Sequence, residues 1–203
     1  MFVELIDLLR CTRPHEDSWL VATFHELRER HVLEGLLSCP VCGARYEIRG
    51  GVALFGGDFA QAGAVAGADE DGVRFAAFLN LVEPGIVVLG GAWAGAADTI
   101  TRLGSAVIAL NAARGAGLPR LSRIRSDGSV PLARECVDGI ALDSADMAML
   151  ESAARALKNG GRMVAPADAG IPGGMRELAR DEQVWIAVKE GLTASAPVQI
   201  ARR

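Results

Sequence analysis

From residue 73 onward, short apolar runs alternate with stretches whose apolar positions recur at helical spacing. Residues 85–89, 106–110, 122–125, 137–142, 161–165, 184–189 and 197–201 read as strands. Residues 74–81, 96–102, 145–158 and 175–180 read as helices. The clearest of these helices puts Leu150, Ala153, Ala154 and Leu157 on one face. Asp143 or Ser144 caps its start, and Asn159-Gly160 ends it. Short β-branched runs alternating with helices predict a mostly parallel sheet covered on both faces. The last two strands, joined across residues 191–196, read as an antiparallel hairpin.

The first part of the chain has another texture. Residues 1–55 hold all three histidines, three of the four cysteines and a charged stretch that reads as helix, with His25 and His31 on it. Residues 56–72, GGDFAQAGAVAGADEDG, are rich in glycine, alanine and acid and read as a linker or a segment over a site. The pattern therefore divides the chain into 1–55, 56–72 and 73–203, with no internal repeat.

Charge and hydropathy narrow the classes. The longest apolar run, 85–97, is too short and too rich in glycine to span a bilayer. The first ten residues carry Glu4 and Asp7 with no basic lead, unlike a signal peptide. These features place the protein in the cytoplasm, with no membrane partner. A formal net charge of -4 argues against binding nucleic acid mainly through phosphates, although Arg120, Arg123 and Arg125 cluster.

In a reducing compartment, grouped cysteines suggest metal more than disulfide. Cys39-Pro40-Val41-Cys42-Gly43 is a knuckle whose two thiolates can grip one tetrahedral zinc ion. Cys11 supplies a third ligand. His15, in Cys11-Thr12-Arg13-Pro14-His15, is the nearest fourth, with His25 and His31 as alternatives.

LIDLLRC followed by LLSCPVCGARYEIRGGVALF resembles the zinc-ribbon family of the small methyltransferase activator and its single-domain bacterial relatives. Tyr46, Ile48, Gly51 and Leu54 match the tail of that family's second knuckle. The likeness covers about the first 55 residues. It departs in the histidine of the first knuckle and in the helical insert between the knuckles. The metal's role would be structural, closing a module too small to bury its own core.

Residues 73–203 resemble a class I S-adenosylmethionine-dependent methyltransferase, chiefly in the order of segments. GIVVLGGAWAG looks like the first strand and glycine loop, AVIALNA like the second strand, and SDGSVPLARECVDGIALD like the approach to the fourth. MLESAARALKNGGRMVAPA resembles the following helix, double glycine and fifth strand. The resemblance implies a Rossmann-like α/β sheet of seven strands, the last hairpin antiparallel, preceded by the small zinc ribbon. It also implies S-adenosylmethionine as cofactor, against the C-terminal ends of the strands.

On that alignment Leu89 stands where an acid is usual, and Gly91 and Gly95 match the outer glycines of the loop. Trp93 takes the middle glycine position, and Asn111 replaces the acid that holds the ribose. Asp127 matches as partner of the adenine amino group, and Cys136 falls at a packed position before the fourth strand. A charge-assisted hydrogen bond contributes about 1.5–3 kcal/mol against roughly 1 for a neutral one. Losing the acid and a glycine therefore predicts a degenerate pocket. Replacing Trp93 by glycine and Asn111 by aspartate is expected to improve binding without affecting folding.

Asp143-Ser144-Ala145-Asp146 follows the fourth strand in place of the motif of amino-group methylation, and no histidine lies in residues 73–203. Two functions follow. One is a non-catalytic partner-binding or assembly subunit, acting through a protein partner or a second copy. The other is an active methyltransferase with a divergent cofactor site.

Overall fold

The computed structural model describes residues 1–56, 71–112 and 120–191. A 3-10 helix, Val3–Leu8, opens the chain. Strands β1 (Val21–Arg28), β2 (His31–Ser38), β3 (Arg45–Arg49) and β4 (Val52–Phe55) follow as an antiparallel meander. After helix α1 (Asp71–Phe78) come β5 (Ile86–Gly90), α2 (Ala97–Arg102), β6 (Ala106–Leu110), β7 (Leu121–Ser126), β8 (Val137–Leu142) and α3 (Met147–Ala156). The last three strands are β9 (Leu157–Pro166), β10 (Met175–Arg180) and β11 (Val184–Lys189).

All of the strands join one sheet, in the order β1-β2-β3-β4-β7-β6-β5-β8-β9-β11-β10. From β4 to β9 the neighbours run parallel, while β11 is antiparallel to both β9 and β10. The order reverses between β5 and β8, the kind of switch point where ligands bind in open α/β sheets. Among the described residues eleven strands stand where seven were expected, because the N-terminal meander extends the sheet through β4 and β7.

Strands β5 and β6 are apolar throughout because both their faces are covered. Val87 and Leu89 enter the cluster beneath α1 and α2 with Phe75, Leu79 and Ile100. Val88, one residue between them, points the other way, into a core shared with α3. The same alternation splits Val107 from Ile108, Ala141 from Ile140, and Val164 from Met163. The α3-side core also holds Leu9, Leu37, Tyr46, Ile48 and Phe55. A further tie is the bridge between Leu9 and Leu132, beside which the Arg10 N–H donates to the Pro131 carbonyl at 3.0 Å.

Several expectations change. The charged stretch expected as helix is the β1–β2 hairpin, turning at Glu29 and Arg30, both with positive φ (46° and 67°). Residues 175–180 form β10 rather than a helix. The closing antiparallel hairpin is thus β10–β11, one strand earlier than the pairing expected with residues 197–201, which lie outside the described residues. Of the expected linker, residues 57–70 also lie outside them, and Asp71 and Gly72 begin α1. Helix α3 is capped by Asp146, whose carboxylate accepts the Ala148 N–H at 3.0 Å, not by Asp143 or Ser144. It stops at Ala156, and Asn159-Gly160 lies within β9 where the β8–β9 register shifts. No helix among the described residues is long and apolar enough to cross a membrane.

Candidate functional site

Two regions carry the predicted chemistry. In the first, Cys11, His15, Cys39 and Cys42 come together, with their ligand atoms all within 4.8 Å of one another. Cys39 directly follows β2 and is buried. Its N–H donates to the Ala44 carbonyl at 2.8 Å, and the Gly43 N–H returns to the Cys39 carbonyl at 3.0 Å. That tight turn needs the left-handed backbone of Gly43, at φ 69°. Cys11 arrives from the other side, set by the Leu9–Leu132 bridge and by the Arg10–Trp19 bridge that closes the loop carrying His15.

The spacing suits a tetrahedral ion. Bonds of about 2.3 Å to sulfur and about 2.0 Å to nitrogen put two sulfurs about 3.8 Å apart, and sulfur about 3.5 Å from nitrogen. Here the Cys11 and Cys42 sulfurs lie 3.7 Å apart, and Cys39 Sγ lies 3.4 Å from His15 Nε2. His15 Nδ1 lies 2.6 Å from the Glu16 carbonyl. A carbonyl only accepts, so that contact keeps the proton on Nδ1 and leaves the Nε2 lone pair facing the sulfurs. The other two histidines are elsewhere: His25 is exposed on β1, and His31 packs edge-on against Phe2 at 4.5 Å.

Electrostatics divide the cysteines. At Cys39 burial acts upward, but the backbone N–H groups of Cys42 and Val41 and the neighbouring thiols outweigh it, lowering the thiol from 9.0 to about 6. Burial raises Cys11, with the Tyr46 hydroxyl pulling against it. Cys136 is set apart from this cluster. Its half-buried thiol donates to the Ala133 carbonyl at 3.1 Å, and burial pushes it up to about 11, as suits a packed thiol.

Tyr46 is the residue whose role at this centre the sequence left unread. Its hydroxyl lies 3.1 Å from Cys11 Sγ, while its ring packs against Phe55 at 4.6 Å. The signal available was its place on the inward face of β3, two residues after Ala44 closes the knuckle.

The second region is the edge formed by the C-terminal ends of the parallel strands. Gly91, Asn111, Asp127 and Asp143 each follow the last residue of a strand there. Gly91 has φ 62°, and a Cβ on it would lie 3.1 Å from Asp143 Cβ. Residues Gly91–Ala96 wind into a 3-10 helix that runs directly into α2, leaving Gly95 exposed. Within it, Trp93 is half-buried against Phe75 of α1, with ring centres 5.1 Å apart. Leu89 is buried beneath the same helices.

Asn111, at φ 52°, turns its amide onto the end of the neighbouring strand. Its Nδ2 donates to the Ser126 carbonyl at 2.9 Å, and its Oδ1 accepts the Ser126 N–H at 2.8 Å. Asp127 is exposed, with its N–H donated to the Phe55 carbonyl at 3.2 Å. An open cavity of about 430 Å³ lies at the opposite edge, among Arg134, Glu135, Arg155, Asn159 and Lys189, and includes none of the predicted residues.

No family model matches the chain, and no curated protein matches its sequence. Among solved structures it is similar to the antibiotic-resistance methyltransferase Kmr, at 14% identity over 64% of this chain and 97% of that one, with TM-score 0.41. It is also similar to 1,6-didemethyltoxoflavin-N1-methyltransferase from Burkholderia thailandensis, at 18% identity over 60% of each chain, with TM-score 0.38. A third neighbour is an S-adenosylmethionine-dependent methyltransferase from Mesorhizobium loti, at 19% identity over 59% of this chain and 63% of that one, with TM-score 0.39. The chain thus spans less than two thirds of the length of the last two. Strand order and the two-faced core define the architecture, rather than these distant likenesses.

Proposed function

We propose that this chain is a methyltransferase-derived protein with a structural zinc centre and a degenerate S-adenosylmethionine edge. In this reading it serves as a non-catalytic partner-binding or assembly subunit. The observation that carries the reading is the Asn111 amide. Both of its polar atoms are engaged by the Ser126 backbone, so the side chain at the ribose position is committed to holding two strands together. The packing of Trp93 against Phe75, where the resembled family keeps an open glycine, supports the same conclusion.

Zinc would be held by Cys11, His15, Cys39 and Cys42 and would supply a cross-link, tying the Cys11 loop to the Cys39 knuckle. The resemblance to the methyltransferase-activator ribbon is consistent with that role. A protein partner or a second copy fits the outer edge of the sheet. There the lone-sided strand β1 and its lead expose Trp19 at 70%, Val21 at 60% and Leu27 at 51%. An edge strand with apolar side chains is a ready template for pairing. The acidic balance of the chain disfavours nucleic acid as that partner.

The second reading, an active methyltransferase with a divergent site, is favoured by the exposed Asp127 at the end of β7, the one acid that matches the resembled pattern. Calorimetric titration of zinc-loaded protein with S-adenosylmethionine and S-adenosylhomocysteine separates the two. We expect no binding, or a Kd weaker than about 100 μM; a Kd of about 1 μM would move the active enzyme into first place.

A further inference from the structure

We propose that Tyr46 is a positioning residue of the metal centre, donating its phenolic hydrogen to the Cys11 sulfur so that this thiolate meets zinc in one fixed orientation. The inference rests on the zinc reading above and adds to it a fifth residue that is not itself a ligand.

The hydrogen count around the phenol determines the direction of each bond. The Tyr46 oxygen lies 3.3 Å from the Thr12 N, 3.2 Å from Thr12 Oγ1 and 3.1 Å from Cys11 Sγ. A backbone N–H only donates, so the phenol oxygen accepts from Thr12 N. A metal-bound cysteine is a thiolate, which only accepts, so the single phenolic hydrogen points at sulfur. Thr12 Oγ1 then donates its own hydrogen to the phenol oxygen. With Cys11 deprotonated, the state a metal requires, every one of these groups is satisfied.

The position of the phenol is built into the fold. Tyr46 and Ile48 face inward on β3, while Arg45, Glu47 and Arg49 face out. Tyr46 pairs with Leu37 across the hairpin that carries Cys39, so the knuckle and the phenol move as one unit. The ring is buried and braced by Phe55 of β4 at 4.6 Å. Cys11, by contrast, lies in a loop outside any strand, held by isolated bridges at Leu9 and Arg10 and by its N–H on the Ser18 carbonyl at 3.4 Å. The hydrogen bond therefore joins the less anchored ligand to the better anchored half of the site. Outer partners of this kind fix ligand orientation and change metal affinity by about 10–100-fold.

The test compares the full-length protein with Tyr46→Phe and Thr12→Val, loaded with cobalt(II) as a spectroscopic probe and with zinc in competition with a chelator. Phenylalanine keeps the ring against Phe55 and removes only the hydroxyl. We expect Tyr46→Phe to weaken zinc binding by about tenfold. It should also move the sulfur-to-cobalt charge-transfer band to longer wavelength, because a thiolate without its hydrogen bond is the better electron donor. Thr12→Val, at an exposed position, should shift the band the same way by less, since it removes one donor to the phenol. A merely structural tyrosine would leave the band in place. If the unsubstituted protein binds metal and both variants match it in band position and affinity, the role of Tyr46 is overturned while the zinc centre stands. If the unsubstituted protein binds no metal, the zinc reading falls and takes this inference with it. Should Tyr46→Phe fail to fold, an unshifted band in Thr12→Val overturns the proposal.

Discussion

The cysteine–histidine cluster and the strand-end edge are both built from residues distant in sequence, yet their polar atoms face opposite ways. At the cluster, four donor atoms converge to within 4.8 Å, and the surroundings favour the thiolate at Cys39 and a free Nε2 lone pair at His15. At the strand ends, the glycine turn, the asparagine and the tryptophan are each engaged by the protein's own strands and helices. One region is organised toward something it does not itself contain. The other is organised toward itself. The two share a sheet through β4 and β7 and a core through Tyr46 and Phe55, so the contrast is not one of separate folding.

Removing the proposed zinc is the largest perturbation that tests this. Chelation, or Cys39→Ala, takes away a cross-link whose binding contributes about 10–16 kcal/mol in small zinc modules. We expect thermal stability to fall steeply and amide exchange to rise throughout β1–β4. Because β4 pairs with β7 over Val52–Phe55, we also expect protection to fall along β7. Exchange measured by mass spectrometry checks it. Unchanged protection in β7 would mean that residues 1–55 behave as a unit apart from the sheet, as the change of composition after residue 55 suggests.

How much of this could be read from the sequence depends on where burial came from. Strands β5, β6 and β8 appear within a residue of their expected bounds because they are buried on both faces, β5 and β6 as unbroken apolar runs and β8 as one interrupted only by Asp138 and Gly139. Strand β10 reads MRELAR, a run of good helix formers, and lies exposed at the sheet's edge. Only its pairing with β11 makes it a strand. The β1–β2 hairpin was hidden for a related reason. Its turn uses Glu29 and Arg30 at positive φ in place of the glycine or asparagine that advertises such turns. The mid-strand Gly35 was a clue, since a Cβ there would lie 2.8 Å from the Thr23 carbonyl. At the sites, cysteine spacing named the cluster, but the Glu16 carbonyl behind His15 has no local sequence signature, and the Tyr46 hydroxyl is marked only by its place just after the knuckle.

A smaller perturbation tests the self-directed edge. The sequence predicts that Asn111→Asp, made together with Trp93→Gly, leaves folding intact, but in the structure the Asn111 amide holds two strands together. Aspartate keeps an acceptor for the Ser126 N–H but loses the donor to the Ser126 carbonyl, setting a charge against that oxygen. We expect a loss of about 1–3 kcal/mol in denaturant unfolding. Cofactor binding would not recover, because the carboxylate is held by the same backbone. Stability equal to the unsubstituted protein, accompanied by new S-adenosylmethionine binding, would show that the side chain leaves Ser126 readily and that the edge is one residue from function.

The smallest expected effect concerns Asp146, which follows β8 on the same edge. In the structure it caps the helix. Its Oδ1 accepts the Ala148 N–H at 3.0 Å, and the Asp146 N–H is itself held by Ser144 Oγ at 3.2 Å. A cap requires an acceptor at this position but not a charge. Asparagine caps about as well as aspartate, whereas alanine loses about 1 kcal/mol. Asp146→Ala should therefore lower unfolding stability by roughly 1 kcal/mol, and Asp146→Asn by only a few tenths, the part owed to charge at the helix N-terminus. Urea titration of the three proteins side by side resolves the difference. Equal losses in both variants would mean that charge, and not the hydrogen bond, is what this position supplies. The strand-end edge would then hold a carboxylate available to something outside the chain, which weakens the contrast with the metal cluster.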